Sequence, residues 1–250
     1  MNKVSKFAKE LFESWDVDGD GTMTEKELLK PLVSLSLAPD LKVAKQICQA
    51  LDTCKGATME LSSKDFQRIL KPNHVTDRLI EILSERSASR QAQIEYVMRR
   101  QNKPYERPDP YNYFEQLESK TQIWEEIVID EPRLFEGEKI NQVPVSKVAS
   151  WFTKTGVDAD ADKAKETIQR LLKRDLQSAA DTGLISKSEF FSFFFVGMFK
   201  CALNRLAQSL EREVKKGNIP ASLTMATKLD ILSRTGLVDG ILNSQSENHK

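Results

Sequence analysis

Between Asp16 and Glu27 the chain reads Asp-Val-Asp-Gly-Asp-Gly-Thr-Met-Thr-Glu-Lys-Glu, five acids in twelve residues. The spacing is more telling than the charge. Asp16, Asp18 and Asp20 stand at positions 1, 3 and 5 of the stretch, where a tight loop turns their oxygens toward one centre. Gly21 at position 6 permits the backbone bend that residues carrying a Cβ resist. The carbonyl of Thr22 at position 7 then faces the same centre, and Thr24 at position 9 contributes directly or through a water. Glu27 at position 12 opens the following helix and can offer both carboxylate oxygens. Six to seven oxygen ligands suit Ca²⁺. With no Cys or His in the set, the donor chemistry does not suit zinc. Glu25 has no ligand role in this scheme and fits the first turn of the exit helix, where an acid complements the dipole.

The flanks have the periodicity such a loop needs. Phe7, Leu11, Phe12 and Trp15 fall on one face of an entering helix, and Leu28, Leu29 and Leu32 on one face of an exit helix. Pro31 is expected to bend that second helix or end it early. Met23 at position 8 is the apolar residue that would join a short β-bridge with a partner loop. An acidic surface turn is the plainer alternative, and the apolar flanks weigh against it. Helix, loop and helix together resemble the EF-hand family, whose signature D-x-D-x-D-G-x5-E is complete here. The resemblance implies Ca²⁺ held by Asp16, Asp18, Asp20, Thr22 and Glu27, with Mg²⁺ the alternative ion for the same loop.

It also implies that hands come in pairs. Leu61 lies 38 residues after Met23, so Leu61-Ser-Ser-Lys-Asp-Phe66 reads as the second half of a partner loop and its exit helix. That loop, Asp52 to Asp65, has 14 residues instead of 12, and Lys55 and Gly56 replace acids. The layout repeats later in weaker form. Residues 136–147 carry Val143 at the bridge position but Lys147 where the closing acid belongs. Residues 178–189 keep Gly183, Ile185 and Glu189, but Ser178 and Ala180 replace the first two acids. Val143 and Ile185, 42 residues apart, could pair. The expectation is a calmodulin-like plan of four hands in two lobes, with only the first hand complete. Asp158, Asp160 and Asp162 also alternate, but Lys163 and Gln169 occupy positions 6 and 12, so the stretch reads as a helix start capped by Asp158 or Asp160.

The rest of the chain sets the class. It has 250 residues, 40% apolar and 30% charged, with ten glycines and nine prolines, which points to an all-α protein of two lobes. The expected organisation is an N-terminal pair over 1–75, a helical and then Pro-rich linker over 76–113, a degenerate pair over 114–216, and a helical extension over 217–250. Pro104, Pro108 and Pro110 mark the linker as a spacer or as an extended docking peptide presenting Tyr105, Tyr111 and Tyr113. Arg90, Arg99, Arg100 and Lys103 form a basic cluster, either a solvated helix face or a contact to an acidic surface. From Phe190 to about Lys216 one long helix is expected. Its residues Val196, Phe199, Leu203, Leu206 and Leu210 are either core or a partner-binding ridge. The amphipathic segment 222–242 is expected to fold back into the groove of the second lobe.

Lys+Arg and Asp+Glu balance at 37 each, which leaves no global argument for nucleic acid or an anionic membrane. Cys48, Cys54 and Cys201 are an odd count with no CxxC spacing and fit a reducing compartment. The N-terminal fifteen residues lack the apolar run of a secretory signal, and the apolar run Phe190–Phe199 is too short to span a bilayer. His74 and His249 sit in polar surroundings, and no nucleophile–base pair or phosphate-binding glycine loop is present, so no enzyme and no small-molecule substrate is expected. The expected function is that of a calcium-binding EF-hand protein serving as a structural or regulatory subunit of a larger protein assembly. The location expected is cytoplasmic or cytoskeletal, and a looser likeness to EF-hand proteins of cilia suggests an axoneme. The alternative is a free calcium sensor that binds target helices reversibly.

Overall fold

Local chemistry starts and stops the helices. A computed structural model describes residues 3–38, 40–51, 59–104, 117–129, 140–172 and 183–234, and among these the chain is mostly helical. Helix α1 (Lys3–Trp15) runs into the acidic loop, after which strand β1 (Thr22–Thr24) leads to α2 (Glu25–Ser34). Thr24 is the N-cap of α2, and Pro31 lies inside that helix, which ends at Ser34. Next come α3 (Leu41–Leu51), β2 (Glu60–Ser62), α4 (Ser63–Ile69) and α5 (His74–Arg100). Asp40 Oδ1 takes the Val43 N–H at the start of α3, Ser62 Oγ takes the Asp65 N–H at the start of α4, and Asn73 Oδ1 takes the Val75 N–H at the start of α5.

The second half contains α6 (Leu117–Val128), β3 (Gln142–Pro144), α7 (Val145–Lys154), α8 (Ala161–Leu172), β4 (Leu184–Ser186), α9 (Lys187–Lys215) and α10 (Met225–Arg234). Asp160 Oδ1 accepts the Lys163 N–H, so the alternating aspartates do open a helix, with Asp160 as its cap. The strands pair in twos. β1 lies antiparallel to β2 with Met23 opposite Leu61, and β3 lies antiparallel to β4 with Val143 opposite Ile185. All four of these central side chains are fully buried.

The chain divides into two compact units, residues 1–72 with 198–250, and residues 73–197. The sequence suggested boundaries at 75, 113 and 216. The structural division instead falls just before α5 and again inside α9. In the first unit Phe66 is the aromatic hub: Phe12, Trp15 and Phe199 set their rings at 5.8, 5.9 and 6.2 Å from it, each edge-on. The Phe199 contact ties the later part of α9 to the N-terminal helices. In the second unit Phe190 is the hub, with Trp124, Trp151, Phe193 and Phe194 within 5.8 Å. The Trp124 indole N–H is satisfied by the Ile140 carbonyl at 2.9 Å.

Of the two readings of the α9 face the core reading holds: Phe199, Leu203, Leu206 and Leu210 are buried, and Val196 is half-buried. One expectation is corrected. Residues 222–242 do not fold back into the second lobe as far as they are described, because α10 belongs to the first unit and packs against α1. Helix α9, Lys187–Lys215, is the long helix expected from Phe190 to about Lys216. It is long and apolar enough to cross a membrane by length and composition, but 56% of its apolar window is buried inside the molecule, which accounts for its composition.

Candidate metal centre

The acidic loop hangs from the end of α1. The Asp16 N–H continues the helix by donating to the Phe12 carbonyl at 2.9 Å. Its carboxylate then collects the loop: Oδ1 accepts the Gly19 N–H at 2.9 Å and Oδ2 the Gly21 N–H at 3.0 Å. Gly19 and Gly21 hold φ of +72° and +85°, the left-handed region where a Cβ is strained. Asp18 Oδ1 accepts the Asp20 N–H at 3.2 Å, and Asp20 Oδ1 accepts both the N–H and the hydroxyl of Thr22, at 2.7 and 2.8 Å.

Glu27 closes the loop from the α2 side. Its Oε1 accepts the Val17 N–H at 2.8 Å across ten residues, and its Oε2 accepts the Thr24 N–H at 3.0 Å and the Thr24 hydroxyl at 2.7 Å. Thr24 and Glu27 form a reciprocal capping box. The Thr24 backbone N–H is the main reason the Glu27 carboxyl lies below its ordinary value, against some opposing desolvation. An ionised Glu27 is what a cation site needs.

Ligand oxygens of Asp16, Asp18 and Glu27 all lie within 4.8 Å of one another. Oxygens on opposite sides of a Ca²⁺ ion lie about 4.6–5.2 Å apart, twice the Ca–O bond length. The three carboxylates are thus within the span of one such ion, and their all-oxygen chemistry fits it. Asp16, Asp18 and Glu27 would hold the ion, which would neutralise their charge and bridge the α1 and α2 sides of the loop. Asp20, the fourth expected carboxylate, is not in this group; its Oδ1 accepts from Thr22. Thr22, expected to ligate through its carbonyl, has its N–H and hydroxyl taken up by Asp20.

Thr24 serves as helix cap and hydrogen-bonds Glu27. The Thr-x-x-Glu pattern at 24–27 carried that signal. The contact between Val17 and Glu27 had none, because a backbone N–H reads the same at every position.

Elsewhere the acids at hand-like positions are engaged in helix starts. Asp65 takes the Ser62 hydroxyl at 2.6 Å and Arg68 at 3.0 Å. Glu189 takes the N–H and hydroxyl of Ser186, both at 2.8 Å. Residues 52–58, 130–139 and 173–182, which contain the remaining positions of the three degenerate loops, lie outside the described residues, as do 105–116 with the linker tyrosines. His74 is exposed at the start of α5, and His249 is not described. In the basic cluster, Arg99 pairs with Glu95 and Arg100 lies over the Tyr96 ring, on the exposed last turns of α5.

Comparison with protein-family models, with curated proteins and with solved structures finds no match to the chain.

Proposed function

We propose that this chain is a calcium-binding EF-hand protein, a non-catalytic structural or regulatory subunit of a larger protein assembly. The observation that carries the proposal is the gathering of Asp16, Asp18 and Glu27 within 4.8 Å at the junction of two helices. The pairing of Met23 with Leu61 and of Val143 with Ile185 supports a layout of two paired hands, since each pair joins the two bridge positions of hand-like loops. A cytoskeletal setting, axonemal by analogy with EF-hand proteins of cilia, rests on that layout alone.

The role of a free sensor needs a continuous apolar groove for a target helix. The large exposed apolar side chains among the described residues are Val17, Val33, Leu41, Tyr96, Val97, Ile129 and Leu184, of which only the neighbours Tyr96 and Val97 share an element. That scatter favours the structural or regulatory role.

Thermal melts with and without Ca²⁺ test the site. An ion that binds only the folded chain adds about 2.7 kcal/mol of stability at a hundredfold excess over its Kd. The melting temperature should rise with Ca²⁺ in the natural chain and stay fixed in Glu27→Gln. A rise of equal size in both proteins would move the site elsewhere, and no rise in either would remove calcium from the proposal.

A further inference from the structure

We propose that α10 is a latch on the metal loop. Seated against α1, it holds the loop in its binding-ready form, and Ca²⁺ in the loop holds α10 seated in return. This rests on the calcium reading above and adds the regulation of that site.

The geometry runs through α1. Nothing separates that helix from the loop, because the Asp16 N–H is its last helical hydrogen bond, and the Asp16 carboxylate carries the Gly19 and Gly21 N–H groups. Glu27 arrives from α2. Gathering Asp16, Asp18 and Glu27 therefore requires α1 and α2 to keep a fixed relation, and anything that steadies α1 steadies the cage. One such element is α10, which packs on α1.

The seat of α10 is small and the hinge before it is firm. Leu229 and Leu232, three residues apart on one helix face, are the buried residues of α10. Ala226, Thr227, Asp230 and Arg234 are exposed. Thr224, Lys228, Ser233 and Arg234 make side-chain hydrogen bonds to partners within residues 221–234. The chain reversal that delivers α10 is built more strongly. Gly217 at φ +78° ends α9, the Asn218 and Ile219 N–H groups both reach the Glu213 carbonyl, and Ile219 is fully buried. The buried Glu213 carboxylate also takes Asn218 Nδ2 at 2.6 Å and Lys216 Nζ at 3.2 Å. A ten-residue helix on a fixed hinge, with two buried leucines, is the kind of unit that can open locally while the rest stays folded.

The seated helix and the gathered carboxylates occur in the same structure. With α10 steadying α1, an ion that selects the gathered loop selects the seated helix, and the coupling is equal in both directions.

The test uses the full-length chain. Amide hydrogen exchange across 225–234 is measured with and without saturating Ca²⁺, and Ca²⁺ is titrated into the natural chain and into Leu229→Ser/Leu232→Ser. The expected result is slower exchange in α10 with Ca²⁺, and Ca²⁺ binding weakened about fivefold or more in the double variant, the lower end of ordinary allosteric coupling. Unchanged α10 exchange in a chain that binds Ca²⁺ overturns the latch and leaves the calcium site standing. No Ca²⁺ binding by the natural chain removes the site and the latch together. The exchange measurement needs no substitution, so a double variant that failed to fold would leave the test intact.

Discussion

Glu27 is held by three donors, the N–H groups of Val17 and Thr24 and the Thr24 hydroxyl, before any ion is considered. Its two tasks can be separated. Glu27→Gln keeps one acceptor oxygen for the capping box but removes the charge and the acceptor for the Val17 N–H, so Ca²⁺ affinity should fall by about 100-fold or more, with a smaller loss of metal-free stability of about 1 kcal/mol. Thr24→Ala removes the cap and should lower stability by about 0.5–2 kcal/mol, read as a denaturation midpoint. Protonation acts on the same carboxylate. Glu27 and Glu213 both lie below the ordinary glutamate value of 4.5, Glu27 mainly through the Thr24 N–H and Glu213 mainly through the Asn218 amide. A depressed folded-state value stabilises above the unfolded value and is lost as pH falls through the folded one. Melting temperature should therefore hold level from pH 7 to about 5 as far as these two groups are concerned, and drop below about 4.5. Glu213→Gln, which keeps the acceptor for Asn218 and cannot titrate, should soften the drop. Cys48 shows the opposite effect. Burial, with Glu25 adding to it, pushes its thiol up to about 12, so it should resist alkylation at pH 8 until the protein unfolds.

At the scale of the element, Gly197 shows how closely α9 passes α5. A Cβ there would lie 2.6 Å from Ile80 Cγ1 and 3.2 Å from the Thr76 carbonyl oxygen. Gly197→Ala gains helix propensity of about 1 kcal/mol but forces this crossing apart, so we expect a net loss of about 1 kcal/mol or more in chemical denaturation. In an Ile80→Ala background the loss should shrink, which a double-mutant cycle would show. The glycine could be read from the sequence, but its neighbour could not, because Ile80 and Gly197 are 117 positions apart. The acidic loop was the reverse case. Its chemistry depends on residues within one turn of chain, so Asp16, Asp18 and Glu27 were legible as a group. Asp20 was not legible as the exception, because it stands at position 5 with the same spacing as Asp16 and Asp18. The bridge pairs Met23–Leu61 and Val143–Ile185 were readable through the EF-hand resemblance, which implies that hands pair and places each of these residues at the bridge position of its loop.

At the scale of the whole molecule, helical content followed from periodicity, but the way the chain is shared between units did not. Nothing local in Phe199 distinguishes it from Phe190, yet their partners lie in different units: Phe66 for one, Trp124 and Trp151 for the other. Amphipathic patterning likewise marked α10 as a helix with an apolar face but not its receiver, which was expected in the second lobe and is α1. Phe66 is fully buried beneath Phe12, Trp15 and Phe199, and Phe66→Ala should cost about 3–5 kcal/mol, measured by denaturant unfolding. Because Trp15 adjoins Asp16, that variant should also bind Ca²⁺ more weakly. The most direct measurement is a calorimetric Ca²⁺ titration of the full-length chain in physiological Mg²⁺, beside Glu27→Gln. The expected result is one calcium site in the natural chain, abolished by the substitution. Absence of binding, or binding that survives the loss of the Glu27 charge, would contradict a calcium centre at residues 16–27.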